Sequence, residues 1–208
     1  MKKYYLTILC GLFIALQVVI GRWLAIDLGF MRISLVFLPI ALGGAILGPL
    51  WNGVICALAD IIGFLLVPSQ GAFFPGFTVS AFLSGYAYGY FLYTPIQPLD
   101  ILINSIYKPK ENKTYFRFSL QYPQAILLSS AGQLIARTFL AAFCVTILID
   151  AFLNTLWVSI LYKNAYTAYF ATRLVKSAAM LPLHVIVFSI IWRILGKFIV
   201  VNVYPKIR

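Results

Sequence analysis

The chain has 208 residues, of which 62% are hydrophobic and only 10% charged, with a mean hydropathy of +0.96; a soluble domain carries roughly 25% charged residues, so a lipid bilayer is the expected solvent. At about 20 apolar residues per spanning helix, the length accommodates roughly six helices and no separate soluble domain. The formal charge of +11 would suggest nucleic acid in a soluble protein, but no aromatic-basic signature interrupts the apolar runs, so no nucleic acid partner is expected and anionic lipid or an anionic ligand fits better.

The first helix is expected from about Tyr5 to Ala25. Met1, Lys2 and Lys3 followed by an apolar run resemble a secretory signal, but Tyr4 to Gly21 is eighteen uncharged residues with no clear cleavage site after it, so the segment is read as a retained span. Between Ile33 and Leu99 the only charge is Asp60. Gly48-Pro49 and Pro68-Ser69-Gln70-Gly71 supply the breaks, giving spans over about Ser34 to Leu47, Leu50 to Val67 and Phe77 to Tyr93. Phe73-Phe74-Pro75-Gly76 reads as an aromatic loop at a membrane interface. From Thr94 to Gln133 the texture changes, with Pro95, Pro98, Pro109 and Pro123 around a polar run from Lys108 to Lys113. That segment is read as a loop whose second half, Pro123 to Ala136, lies in the interface as an amphipathic helix. A fifth helix follows over Thr138 to Leu161 and a sixth over Phe170 to Val200.

The fold class is therefore an all-α membrane protein, a six-transmembrane-helix bundle forming a single domain over 1–208 with a loop insertion at about 94–133. With six spans, Lys2, Lys3, Lys108, Lys110, Lys113, Arg117, Arg137, Arg193, Lys197, Lys206 and Arg208 fall on one side, which makes that side, and both termini, cytoplasmic. Arg22, Arg32, Lys163, Arg173 and Lys176 then lie outside, against the rule. A snorkelling interfacial side chain explains any one of them; five together ask for an anionic ligand.

Cys10, Cys56 and Cys144 each sit in an apolar run with no CxxC or Cys/His grouping, so neither a metal site nor a disulfide framework is expected. No P-loop or Ser/His/Asp arrangement supports an enzyme. His184, alone beside Pro182, reads as a hydrogen-bonded core residue. Small residues at helical spacing, Gly44 with Gly48 and Gly85 with Gly89, read as contacts within the bundle.

Arg32-Ile-Ser-Leu-Val-Phe-Leu-Pro-Ile-Ala, Gly48-Pro-Leu, Ala59-Asp60 and Phe74-Pro-Gly-Phe-Thr78 together resemble the substrate-binding S component of energy-coupling factor (ECF) vitamin transporters. Leu153-Asn-Thr-Leu-Trp157, Arg173 and Lys176-x5-Pro182 look like the folate-specific branch. The resemblance runs from about Leu6 to Ile191, leaving out Thr94 to Gln133, where a much shorter connection is the family pattern. The insertion either touches the coupling machinery or decorates a tolerant loop, and decoration is the reading taken.

The resemblance implies a multi-pass protein of the bacterial plasma membrane with no catalytic activity and no cofactor of its own. Such a protein captures folate at the outer face and delivers it by toppling in the membrane, coupled to a transmembrane T component and two cytoplasmic ATPase subunits. Gly11-Leu-Phe-Ile-Ala15 matches the family's Ala-x-x-x-Ala contact with the T component, Gly replacing the first Ala. The resemblance further suggests that Asp60 has a structural partner within the bundle. The alternative substrate is another vitamin, pantothenate or riboflavin.

Folate needs aromatic walls, directional polar groups for the pterin edge and fixed positive charge for two tail carboxylates. Arg173 and Lys176, three apart on one helix face, with Arg22 and Arg32 bracketing the first outer loop, are the candidates for the tail, Arg being suited to bidentate carboxylate recognition. Asp150, Asn154 and Trp157 follow an i, i+4, i+7 spacing and share a face, suited to bonding and stacking a pterin. An intramembrane Asp is costly unless it is satisfied or functional, which singles out Asp150; the family motif itself covers only Asn154 and Trp157. Phe73 and Phe77, with Phe74, are candidates for an outer gate, simple burial at the interface being the competing reading.

Overall fold

The structure, a computed structural model, describes residues 2–27, 32–66, 73–93, 131–162 and 166–203. Six helices account for nearly all of them. Helix α1 (Lys2–Val18) runs on as a π turn (Val19–Trp23). A two-residue antiparallel ladder follows, β1 (Ile26–Asp27) against β2 (Arg32–Ile33), with Asp27 opposite Arg32. Then come α2 (Phe37–Leu47), α3 (Pro49–Leu66) and α4 (Pro75–Tyr93). Helix α5 covers 131–162 as Ala131–Phe143, a π stretch Cys144–Leu153 and Asn154–Tyr162. Helix α6 (Tyr166–Phe198) closes in a π turn, Ile199–Val203.

Among the described residues, four segments are long and apolar enough to cross a membrane: Tyr4–Trp23, Pro49–Leu66, Gln133–Leu161 and Phe170–Gly196. Helix α2 is apolar but short, 11 residues, or about 16 Å at 1.5 Å per residue. Helix α4 has the length, 19 residues, and is diluted by Ser, Gly and Tyr. Ile8, Leu65, Leu66, Val175 and Ile194 stand outward and exposed, as expected of side chains whose solvent is lipid.

Helix α4 packs against both α3 and α2. Gly48, at φ 85°, takes the left-handed conformation that glycine adopts without steric cost and reverses the chain from α2 into α3. A methyl group on Gly44 would lie 2.8 Å from Gly89 N, and one on Gly85 would lie 2.6 Å from both Asn52 O and Cys56 Sγ. Only glycine admits backbones this close, the packing role expected of these residues. Asn52, wholly buried, ties the three helices together by donating from Nδ2 to Ile40 O (3.0 Å) and Gly85 O (2.8 Å). The apolar core runs through this contact into Ala141, Val145 and Ile149 of α5 and Phe188 and Trp192 of α6.

Helix α5 begins at Ala131, several residues before the expected Thr138, because the apolar residues from Leu134 onward continue the helix with no proline to stop it. Residues 131–136 of the expected interfacial segment therefore belong to α5. The rest of the expected insertion, residues 94–130, lies outside the described residues, as do Lys163 and the break at Pro68 to Gly71. Pro75 and Gly76, expected in a loop, open α4, where proline loses nothing because the first-turn N–H has no intrahelical partner. Arg137, counted above as a cytoplasmic cation, is 1% exposed and donates from Nη1 to Phe91 O at 3.0 Å, satisfying one of the last carbonyls of α4.

Candidate functional site

The helices surround a cavity of about 350 Å³, within the size range of roughly 300–1,000 Å³ for small-molecule sites. Each wall comes from a polar break in an apolar helix. Helix α1 contributes Gln17 and Arg22, α3 contributes Asp60, α4 contributes Ser84 and Tyr88, α5 contributes Thr146 and Asp150, and α6 contributes Lys176, Ser177 and His184. Phe37, Val145 and Met180 supply apolar surface between them.

At one end, Arg22 Nη2 donates to Asp60 Oδ1 at 3.3 Å, and Thr78 Oγ1 donates to Asp60 Oδ2 at 2.9 Å. Asp60 thus has partners within the bundle. Arg22 reaches it by lying across Gly63, where a methyl group would come 2.9 Å from Arg22 Nε. Ser34 steers the chain from α1 into α2 beside this pair, donating to Ile20 O at 3.0 Å and accepting from Val36 N at 3.2 Å.

Opposite, Asp150 accepts from Asn154 Nδ2 at 3.0 Å and lies within the fields of both Lys176 and Arg173. Deeper along α4 and α6, Tyr88 Oη and His184 Nδ1 are 2.9 Å apart. Phe37 stacks on the imidazole with ring centroids 3.8 Å apart. The hydrogen-bonded core histidine expected from sequence is here a wall of the cavity.

Of the residues singled out from sequence, the structure brings Arg22, Asp150 and Lys176 to the cavity. Asn154 joins them through its bond to Asp150. Arg173 is half-buried on α6 beyond the lining, and its charge acts on Asp150. Trp157 is turned to α4: its Nε1 donates to Ser80 Oγ at 3.0 Å and its ring lies 5.7 Å from that of Phe74. Phe77 meets the edge of Phe74 at 6.0 Å, and Phe73 packs on Phe64 at 5.2 Å. Phe74, Phe77 and Trp157 thus form a cluster at the α4 N-terminus, with Phe73 paired to Phe64 of α3. Arg32 is described through its backbone pairing with Asp27. Gly11 and Ala15 sit on an exposed face of α1, with nothing within 4 Å of a methyl group built on Gly11.

Sequence reasoning passed over Gln17, Ser84 and Tyr88. The signal was present in Gln17, the one amide in the first apolar run, whereas Tyr88 is one tyrosine in a helix with several. No group of three or more His, Cys, Asp or Glu among the described residues is placed to hold a metal ion. The arrangement offers two cations near two carboxylates at one end, neutral donors and acceptors at the other, and apolar walls between.

A cavity of this kind inside a bundle of lipid-facing helices defines a membrane-embedded binding protein for a small polar molecule. Residues 5–202 match the family described as ECF transporter, substrate-specific component, and the chain belongs to that family. It is 32% identical over 206 residues to the folate transporter FolT of Clostridium novyi (strain NT), covering 99% of this chain and 98% of the relative. It is 26% identical over 184 residues to the folate transporter FolT of Leuconostoc mesenteroides subsp. mesenteroides, covering 86% and 79%. The crystal structure of FolT bound with folic acid matches with a TM-score of 0.63 and 34% identity, over 88% of this chain and 89% of that one.

Proposed function

We propose that this chain is the folate-binding S component of an ECF-type importer. The observation that carries the reading is the likeness, over 88% of the chain, to a structure of FolT holding folic acid. The cavity between α1 and α6, with Arg22 and Lys176 in its lining, is the site that suits such a ligand. Folate carries two carboxylates on a flexible tail, and fixed cations in a partly dry cavity are what such a tail requires. Lys176 and Arg22 hold the tail, with Arg173 and Arg32 adding positive charge at the approach. Asp150 and Asn154 contribute polar groups to the wall, and Phe73, Phe77 and Trp157 belong to the outer gate.

The chain sits in the bacterial plasma membrane as a six-span bundle with both termini in the cytoplasm. Residues 94–130 are a cytoplasmic insertion. The protein delivers folate by toppling when joined to a T component and two ATPase subunits, which supply the ATP hydrolysis. The exposed face of α1 at Gly11 and Ala15 meets the T component, since small side chains permit close helix approach in lipid.

Titration of the detergent-purified protein with folic acid, with riboflavin and pantothenate as competitors, tests the substrate. Displacement of folic acid by either competitor at equal concentration would move the assignment to another vitamin.

A further inference from the structure

Helix α5 changes its winding where it passes the cavity. Over Cys144–Leu153 it is π-helical, and the amide of Asn154 at the end of that stretch donates to Ile149 O, five positions back. Val145, Thr146 and Asp150 of the stretch line the cavity. Beyond it, Trp157 bonds Ser80 of α4 and lies against Phe74. The winding thus sets two directions at once, that of Asp150 and that of Trp157. One residue gained or lost in it would turn everything after it by about 100°, the angle per residue at 3.6 per turn.

π winding is rare and mostly confined to single turns, so a stretch of ten residues calls for something that holds it. An amide that reaches five positions back gives up the carbonyl four back, which an α-helix would have bonded. Two threonines put a hydroxyl on carbonyls in that position. Thr146 Oγ1 donates to Ala142 O at 2.8 Å where the stretch begins, and Thr155 Oγ1 donates to Ala151 O just past its end. Thr146 is 1% exposed and Thr155 0%, so neither hydroxyl has water to turn to. Thr138 makes the same kind of bond, to Leu134 O at 2.7 Å, but inside the regular α part of the helix. There the amide keeps its own bond four back, and the hydroxyl is an addition to it.

We propose that Thr146 and Thr155 are positioning residues that hold α5 in its π winding, and so aim Asp150 into the cavity and Trp157 at α4. Thr155 lies outside the cavity lining and acts on a ligand only through the winding. The effect on ligand rests on the folate reading of the preceding section; the effect on Trp157 does not.

The test uses the purified full chain and two readouts, folic acid affinity and the fluorescence of Trp157. The chain has four tryptophans, so the Trp157 emission is taken as the difference between each protein and its Trp157→Phe form. Ser80→Ala, which removes the acceptor of the indole N–H, supplies the emission of a released Trp157. Thr155→Val keeps the shape of the side chain and loses the hydroxyl. It should move the Trp157 emission toward the Ser80→Ala value and weaken folic acid about 10-fold. Thr146→Val should move the emission in the same way from eleven positions off, a reach that the winding explains and local packing does not. Thr155→Ser, which keeps the hydroxyl, should restore both readouts, and Thr138→Val should leave both as in the wild type. Wild-type emission in Thr146→Val and Thr155→Val would overturn the proposal, as would an equal shift in Thr138→Val or no rescue by Thr155→Ser. Where Thr155→Val does not fold, Thr146→Val decides the emission readout. A shifted emission with unchanged folic acid affinity in Thr155→Val would overturn the aiming of Asp150. Failure of folded wild-type protein to bind folic acid would remove the folate reading, while the emission would still decide the winding.

Discussion

Asn52 and Asp150 are both polar side chains in the middle of apolar helices, and the two regions around them treat polarity in opposite ways. Where α3 crosses α2 and α4, glycine contacts bring backbones together and the Asn52 amide is spent on Ile40 O and Gly85 O. Where α5 faces α6, Asp150 keeps one bond from Asn154 and lines a cavity with Lys176 across from it. One region is closed scaffold, and the other holds polar groups at an open surface inside the protein. Polarity in a membrane protein is thus diagnostic only together with its partners: buried polar groups bonded to backbone fix helices, and those facing a cavity mark a binding wall.

The scaffold side should break hardest. Asn52→Leu removes the two hydrogen bonds that tie α3 to α2 and α4, and about 3 kcal/mol of stability should be lost, read as a lower melting temperature in detergent, while the fraction that stays folded binds folic acid normally. On the cavity side the effects should reverse. Lys176→Ala should raise the Kd for folic acid about 100-fold, or about 2.7 kcal/mol, with little change in melting temperature. Arg22→Ala should cost less, about 10-fold, because the ion pair with Asp60 already neutralises part of the Arg22 charge in the wild type. The contrast would fail if Arg22→Ala unfolded the protein and Asn52→Leu did not. Smallest on the isolated chain is Gly11→Leu, whose folic acid affinity should stay within about twofold. The effect should appear only with the T component and ATPases present in vesicles, where ATP-driven folate uptake should fall.

The scaffold was largely legible in the sequence. Gly48-Pro49, the glycine spacings and the apolar runs are local signals, and they set helix number and most helix ends. The cavity was legible only in its charges. Arg22, Asp150 and Lys176 stand out because a charge inside an apolar run is costly wherever it points. Trp157 shows where the reasoning ran out. Its placement on a face with Asp150 assumed a uniform α pitch, but Cys144–Leu153 is π-helical, and wider winding rotates everything after it. Trp157 turns to Ser80 of α4 as a result. Tyr88 and His184 meet across 96 positions of sequence, a pairing that no local spacing encodes.

Isothermal titration of folic acid into the detergent-purified wild-type chain, with Lys176→Ala alongside, bears most directly on the central claim. Saturable one-to-one binding by the wild type, weakened in the variant while the fold is kept, is the predicted result. A well-folded wild-type protein that takes up no folic acid, or that binds it equally well without Lys176, would contradict the account.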